Sequence, residues 1–461
     1  MKENFNTCEV ELSTDSLTSL SPEQESLFNI MENTDNNLLI IGGAGVGKSF
    51  SISYFRKHSK KKILVLAPTG VAALNVKGQT IHSVFRLKPT VQDVDDFNYL
   101  FKIPKPIKKL IREVDTIILD EVSMIRPDLI DIIDQKCRII MNNSLPFGGI
   151  QIIFVGDLFQ LSPIVKNRAE YDFLMDKYHG THFFNAPLVQ ESDIKVYELT
   201  EIFRQKNSEF KDLLNKVRVG SVSQDILEKI NCRVGLPNNE KAYITLTGKN
   251  VTAERINNSK LNELEYEEHI YYAEVNGDIR ENSFPCDVEL HLKVGAQIMM
   301  VANDDKRRWV NGTLGTITKL NKGAIFVEID GEEYEVKEHV WKNYKYEYDN
   351  KTGKIEQVVV GDFKQFPIKL GWAITIHKSQ GKTFNSVFID LEDGAFATGQ
   401  VYVALSRCTS LEHLYLKNKI SMRDIQVDNA ALWFMRNVKI SNLIEDGKEV
   451  DYTYNVDRES E

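Results

Sequence analysis

The densest chemistry in the chain is the run Gly42-Gly43-Ala44-Gly45-Val46-Gly47-Lys48-Ser49, with the spacing G-x-x-x-x-G-K-S. It follows the apolar run Leu38-Leu39-Ile40-Ile41 and precedes a stretch, Phe50 to His58, that can continue as a helix. Glycines let successive backbone N–H groups turn inward around a phosphate, and a helix start adds its positive end. Lys48 would reach the β- and γ-phosphates of a nucleotide, and the Ser49 hydroxyl suits a Mg2+ ligand. Asp120-Glu121 closes another apolar run, and two adjacent carboxylates there are costly without a positive partner. Asp120 would hold Mg2+ through its water shell, while Glu121 could orient and deprotonate an attacking water. Gln160, in Gly156-Asp157-Leu158-Phe159-Gln160 after the next run, is the candidate to sense the γ-phosphate or its water. Arg204 and Arg407 are candidate cations that meet the γ-phosphate only when two domains close.

These groups need elements that bring them together. Leu38–Ile41, Ile63–Leu66, Thr116–Leu119 and Ile150–Val155 are short apolar runs, each ending in glycines, hydroxyls or acids. They read as buried parallel strands joined by crossing helices, with ligands at the carboxyl ends. A second α/β region begins near Ile194, with strands at Ala242–Thr247 and Ser386–Leu391. Between them, from Val310 to Ile368, the pattern changes to period-two alternation, as in Ala324-Ile325-Phe326-Val327-Glu328-Ile329. Asp330-Gly331 and Asn350-Lys351-Thr352-Gly353 punctuate it as hairpin turns, so it reads as a small all-β module inserted into the second domain.

Composition agrees with a multi-domain globular chain: 461 residues, 42% apolar and 27% charged. No stretch approaches a membrane span, and the start is polar and acidic without a signal core. Five scattered cysteines without a CxxC pair argue against zinc ribbons and disulfides and for a reducing compartment. The expected location is the cytoplasm of a bacterial or viral host, or the nucleus or mitochondrion for a eukaryotic source. The net charge of −9 at first opposes a nucleic-acid partner. Residues 1–25 and 442–461 each carry −5, however, so the body between them is close to neutral at +1. Such a body can line one cleft with cations.

Taken together the motifs resemble the superfamily 1 helicases, and more closely the petite-integration-frequency (PIF) helicases of the 5′-to-3′ branch, relatives of the RecD-like enzymes. Ser21-Pro22-Glu23-Gln24 resembles the adenine-reading glutamine motif, and Ala67-Pro68-Thr69-Gly70 with Thr80-Ile81-His82-Ser83 the paired single-strand motifs. Phe203-Arg204-Gln205, Trp372 through Gly381 and Ala404-Leu405-Ser406-Arg407 follow in the family's order. Pro146-Phe147-Gly148-Gly149-Ile150-Gln151 is similar to the end of the family signature, although 131–145 matches it only loosely and Cys408 departs from the usual small or aliphatic residue. Val310-Asn311-Gly312-Thr313-Leu314-Gly315 resembles the start of the family's SH3-like inserted module.

The resemblance implies two RecA-like P-loop domains with an SH3-like β-barrel between the halves of the second. In numbers, 1–20 is an acidic tail and 21–192 the first domain, with a small excursion at about 85–109. The second domain is 193–309 with 369–440, the inserted module 310–368, and 441–461 a second acidic tail. The excursion is either a strand-splitting wedge or a plain surface loop. The resemblance also implies ATP and Mg2+ as cofactors. ATP falls to Gln24, Gly42 through Ser49 and Gly381, and Mg2+ to Ser49 and Asp120. Single-stranded DNA falls to Pro68, Thr69, Thr80, His82, Thr375, His377 and Lys378, with Phe85 and Pro163 as base or backbone contacts; the lesser alternative for His82 is a capped core histidine. Hydroxyls and cations suit phosphates, and rings give sequence-tolerant stacking. The expected activity is an ATP-dependent DNA helicase acting on single-stranded, forked or structured DNA and RNA–DNA hybrids, as a monomer in solution. Two other classes stay open: a small-molecule kinase or GTPase, and a catalytically silent DNA-binding scaffold.

Overall fold

The computed structural model describes residues 20–443 and 449–452, apart from short gaps at 89, 96–99, 102, 206, 238–241, 280, 282–283, 307 and 350–353. The first apolar runs form strands: β1 (Leu38–Gly42), β2 (Ile63–Ala67), β3 (Gln79–Thr80), β4 (Thr116–Leu119), β5 (Gln151–Gly156) and β6 (Lys195–Leu199). They pair in parallel in the order β6-β1-β5-β4-β2-β3. Helices α1 (Pro22–Asn33), α2 (Lys48–His58), α3 (Gly70–Asn75), α4 (Ile81–Phe85), α5 (Lys105–Glu113) and α6 (Pro127–Met141) connect or cover them. Successive strand residues serve opposite faces. Leu38 and Ile40 join Leu27 and Phe55 of α1 and α2, while Leu39 and Ile41 join Ile111 and Ile133 of α5 and α6. With both faces covered, β1, β2, β4 and β5 are buried along their whole length, which is why runs and not alternation mark them.

β6 corrects the expected start of the second domain near 193. Lys195 lies opposite Leu38 in parallel register, so 195–199 completes the first sheet. A five-residue strand of mixed character, Lys195-Val196-Tyr197-Glu198-Leu199, carries no signal of which sheet it will join.

The second domain opens with α7 (Ser208–Val219), whose Phe210, Leu213 and Val217 enter its core, and continues with β7 (Ile244–Thr247) and α8 (Asn250–Asn262). The chain then leaves for a long β region: β8 (His269–Tyr272), β9 (Glu274–Gly277), β10 (Glu289–Leu292), β11 (Gln297–Met300), β12 (Leu314–Asn321), β13 (Ala324–Ile329), β14 (Glu332–Val336), β15 (His339–Asp349), β16 (Lys354–Gln365) and β17 (Ile368–Leu370). β18 (Ala373–Thr375), β19 (Val387–Asp390), α9 (Gln400–Leu405) and β20 (Leu414–Leu416) return to the second domain, whose parallel order is β18-β7-β19-β20. The inserted region holds an antiparallel sheet β14-β13-β12-β11-β17 around Leu292, Ile298, Ile317, Ile325, Val327 and Ile368. The alternation in β12 and β13 is real, and Asp330 and Gly331 turn the hairpin at φ 53° and 88°. The Asn350–Gly353 turn lies outside the described residues. The region is broader than 310–368, because β11 pairs with β12 and β17. Three of the four residues of β11 are buried, so it shows no alternation to betray it.

β15 and β16 form a long arm that crosses to the first domain. Gln79 Nε2 donates to the Tyr344 carbonyl at 2.6 Å, and Tyr346 N–H donates back to Gln79 Oε1 at 3.2 Å. Tyr346 is buried in the first domain's core, and Lys62 and Lys109 both approach the Tyr348 ring.

The chain's end also returns to the first domain. α10 (Asn429–Asn437) buries Ala431, Leu432 and Met435 in its core, β21 (Ile440–Leu443) pairs in parallel with β6, and β22 (Glu449–Tyr452) pairs antiparallel with β21. Two expectations are thereby corrected: the second domain does not run to 440, and 441–461 is not wholly an acidic tail. The open edge of β6 supplies the hydrogen bonds that order it. The tail at 1–20 lies outside the described residues except for Leu20. The excursion at 85–109 is in part core, since Phe85, Leu100 and Ile107 are buried; Phe101 is its exposed ring among the described residues.

Candidate functional site

β1 delivers the glycine run to the carboxyl edge of the first sheet. A side chain on Gly42 would meet the Leu199 carbonyl oxygen at 2.7 Å. Gly45 and Gly47 take φ of 85° and 83°, and at Gly45 a Cβ would sit 2.5 Å from that of Arg204. Lys48 opens α2, and its Nζ donates to the Gly42 and Gly43 carbonyls at 2.8 and 2.9 Å. Burial pushes its pKa down while Asp157, Glu121 and Asp120 pull it up. The cation is held against the carbonyls of the glycine loop.

Asp120 ends β4 with its Oδ1 accepting the Glu121 N–H at 2.9 Å. Burial, and then the neighbouring Glu121, push its carboxyl up to about 7. Glu121 adopts φ 52°, a left-handed backbone unusual outside glycine and of the kind found at functional sites. Burial raises its pKa, while Lys48 and Arg407 lower it. An acid raised toward neutrality is suited to accept a proton from water. Asp120, buried with a carboxylate neighbour, is a site that a cation would relieve, and its carboxylate and the exposed Ser49 hydroxyl are oxygen donors of the kind Mg2+ takes.

Gln160 is buried. Its Nε2 donates to Asp157 at 3.2 Å, and its Oε1 accepts from Gln380 of the second domain at 3.4 Å. Gly381 follows with φ 75°. Gln24, in a capping box with Ser21, holds its Nε2 where a Cβ on Gly47 would touch it at 2.6 Å. Phe203 lies beside the same glycine with its ring 41% exposed, so a flat apolar face borders the loop.

The two arginines sit near each other at the mouth of the second domain. Arg204 Nη1 donates to the Ser406 carbonyl at 3.2 Å. Arg407 is almost fully buried, donating to the carbonyls of Val403, Ser379 and Lys382 and to Ser406 Oγ. Burial and Arg204 depress its pKa to about 9, against the pull of Glu121 and Asp157.

The candidate DNA residues share one local design. Thr69, Thr80 and Thr375 each follow or close a strand, and each side-chain oxygen accepts a backbone N–H of the next turn, from Ala72, Ser83 and Lys378. A hydroxyl used this way as an acceptor still has its proton to donate to a phosphate. Thr69 and Thr80 are partly exposed, with Pro68 and His82 beside them, whereas Thr375 is buried and carries the turn bearing His377 and exposed Lys378. Burial lowers the His377 pKa. Pro163 is half-exposed. Phe85 is 2% exposed inside the first domain's core, which corrects its assignment as a stacking ring. An apolar helix end at that position had to pack.

Four residues with no assigned role complete the site: Phe203, Asp157, Arg218 and Tyr402. Asp157 ends β5 as Asp120 ends β4, a signal the sequence did offer. Arg218 and Tyr402 lie on helices of the second domain, and only folding brings them to Asp157, Arg218 Nε at 3.0 Å and Tyr402 Oη at 2.9 Å.

Residues 19–227 match the family described as PIF1-like helicase, and residues 277–320 match the DNA helicase Pif1 2B domain. The ATP-dependent DNA helicase Pif1 of Bdellovibrio bacteriovorus is 32% identical over 425 residues, covering 90% of this chain and 92% of that one. The crystal structure of Bacteroides sp Pif1 in complex with ADP-AlF4 superposes with a TM-score of 0.84 at 35% identity, covering 91% of this chain and 97% of that one. Bacteroides Pif1 bound to ssDNA gives 0.65 at the same identity, covering 90% and 96%.

Proposed function

The chain belongs to the PIF1-like helicase family, and from that premise we propose that it is an ATP-dependent DNA helicase, translocating 5′ to 3′ on a single strand and opening forked or structured duplex. The observation that carries the reading is the meeting of two parallel α/β domains at one cleft, with Lys48, Asp120, Glu121 and Gln160 on one wall and the arginine-bearing turn on the other. A kinase or GTPase of a single domain has no need of the second wall.

In this reading the inward N–H groups of 42–49 and Lys48 hold the phosphates, while Phe203 and Gln24 take the base. Ser49 and Asp120 would hold Mg2+, which supplies charge neutralisation on the β- and γ-phosphates. Glu121 takes the proton of the attacking water, with Gln160 orienting it. Arg204 and Arg407 meet charge developing on the γ-phosphoryl as the domains close. Thr69, Thr80, His82 and Lys378 grip the strand's phosphates, so closing and opening shift one grip relative to the other. The inserted module's antiparallel meander supports the SH3-like description. Phe101 is the exposed ring that suits a wedge.

The test is ATP turnover with and without single-stranded DNA, followed by unwinding of duplexes with 5′ or 3′ tails. Strong stimulation and unwinding from the 5′ tail are expected. DNA-indifferent turnover would favour a small-molecule kinase or GTPase, and preference for the 3′ tail would reverse the polarity. RNA–DNA hybrids belong in the same assay.

A further inference from the structure

Asp157 is a carboxylate at the cleft that groups of both domains hold. Its Oδ1 accepts from Arg218 Nε at 3.0 Å, and its Oδ2 from Tyr402 Oη at 2.9 Å and Gln160 Nε2 at 3.2 Å. Arg218 closes α7 and Tyr402 lies on α9, both packed in the second domain. Tyr402 does more than donate: its oxygen accepts the Ala44 N–H, a member of the phosphate loop, at 2.9 Å. A Cβ on Gly43 would lie 3.4 Å from that same oxygen and 4.0 Å from Arg218 Nε, so both side chains rest directly against the loop. Arg218 also reaches Glu198 at 3.4 Å and lies over the Phe159 ring. All three groups are at most 5% exposed, where a charge-assisted hydrogen bond is strong and a broken one leaves a costly orphan.

What this cluster positions follows from the chain. Arg407 stands five residues beyond Tyr402, just after α9 ends, and its guanidinium is tied to that turn through the Val403 carbonyl and Ser406 Oγ, and to the 379–382 segment through the Ser379 and Lys382 carbonyls. Whatever holds Tyr402 in register with the phosphate loop therefore sets where Arg407 stands relative to it. Gln160 links the cluster to Gln380, two residues from Lys378 in the turn capped by Thr375.

We propose that Tyr402 and Arg218 are positioning residues: through Asp157 and the Ala44 N–H they register the arginine-bearing end of α9 on the phosphate loop. Through Gln160 and Gln380 they tie that register to the strand-gripping turn. The proposal rests on the ATPase reading above. Neither residue touches nucleotide in it; each acts through Arg407.

The experiment is steady-state ATP turnover of full-length Tyr402→Phe, Arg407→Ala and their double variant at saturating single-stranded DNA. The ring of Phe keeps the packing and removes both hydrogen bonds. Tyr402→Phe should lower kcat by about tenfold, the size of one lost charge-assisted bond, while KM for ATP moves by less than about threefold. On the Arg407→Ala background it should add nothing, because the residue it positions is already gone. A kcat within twofold of the parent, or losses that multiply, overturns the proposal. Were Tyr402→Phe misfolded by circular dichroism, Arg218→Lys, which keeps the charge and loses the guanidinium fork, faces the same criteria. A parent without DNA-stimulated turnover removes the helicase reading and this coupling with it, whereas a normal parent with a silent Tyr402→Phe removes the coupling alone.

Discussion

Lys48 and Glu121 feel each other's charge but are asked for different things. Lys48 is a half-buried cation leaning on two carbonyl oxygens, where a phosphate would give it a full counter-charge. Lys48→Ala should therefore abolish hydrolysis while leaving single-strand binding measurable by fluorescence anisotropy, because the threonine caps and Lys378 lie elsewhere; wild-type turnover in this variant would remove the phosphate-loop assignment. Glu121 is an acid whose burial lifts it toward the proton affinity a base requires. Glu121→Gln should bind nucleotide yet turn over at least ~10²-fold more slowly, the lower size for losing a general base. Should kcat stay within a few-fold of the parent, the proton goes to another group. The glycine loop and the adjacent acids stood out in the sequence because phosphate chemistry fixes residue type and spacing together, whereas Arg204 and Arg407 stood out only through the family motifs around them. Phe85 was misread because an aromatic in a DNA-motif neighbourhood looks the same whether it faces the strand or the core.

At the scale of elements, the arm of β15 and β16 is the least expected piece. Its strands alternate, as read, but alternation says only that one face is covered and not by what. Here the cover at Tyr346 is the first domain, reached from a module inserted in the second. Tyr346→Ala should release the arm: losing a buried aromatic costs on the order of 3 kcal/mol, about a hundredfold in the docked population. Limited proteolysis between 339 and 365 should then proceed much faster than in the parent, with nucleotide binding unchanged. Equal cleavage rates would show that the contact contributes little to docking.

At the scale of the whole molecule, the first domain is closed by the chain's last described elements. Leu432, Met435 and Ile440 enter its core, and Asp428 pairs with His182 at 2.8 Å. Each buried apolar side chain contributes about 1.5–3 kcal/mol. A chain ending at 427 should lose the melting stability of the first domain by several degrees or fail to stay soluble. An unchanged thermal melt would mean that the returning segment only decorates the sheet edge.

The sequence by itself determined the two parallel α/β cores, the alternating strands of the insertion and the phosphate chemistry, because burial on both faces, burial on one face and nucleotide binding each impose a local pattern. Only the tertiary structure decided which sheet Lys195–Leu199 and Ile440–Leu443 would join, where the arm would land, and that Arg218 and Tyr402 would meet Asp157. The pairing of an edge strand is set by whichever backbone edge is left open, and a partner some 245 residues away leaves no trace in local spacing.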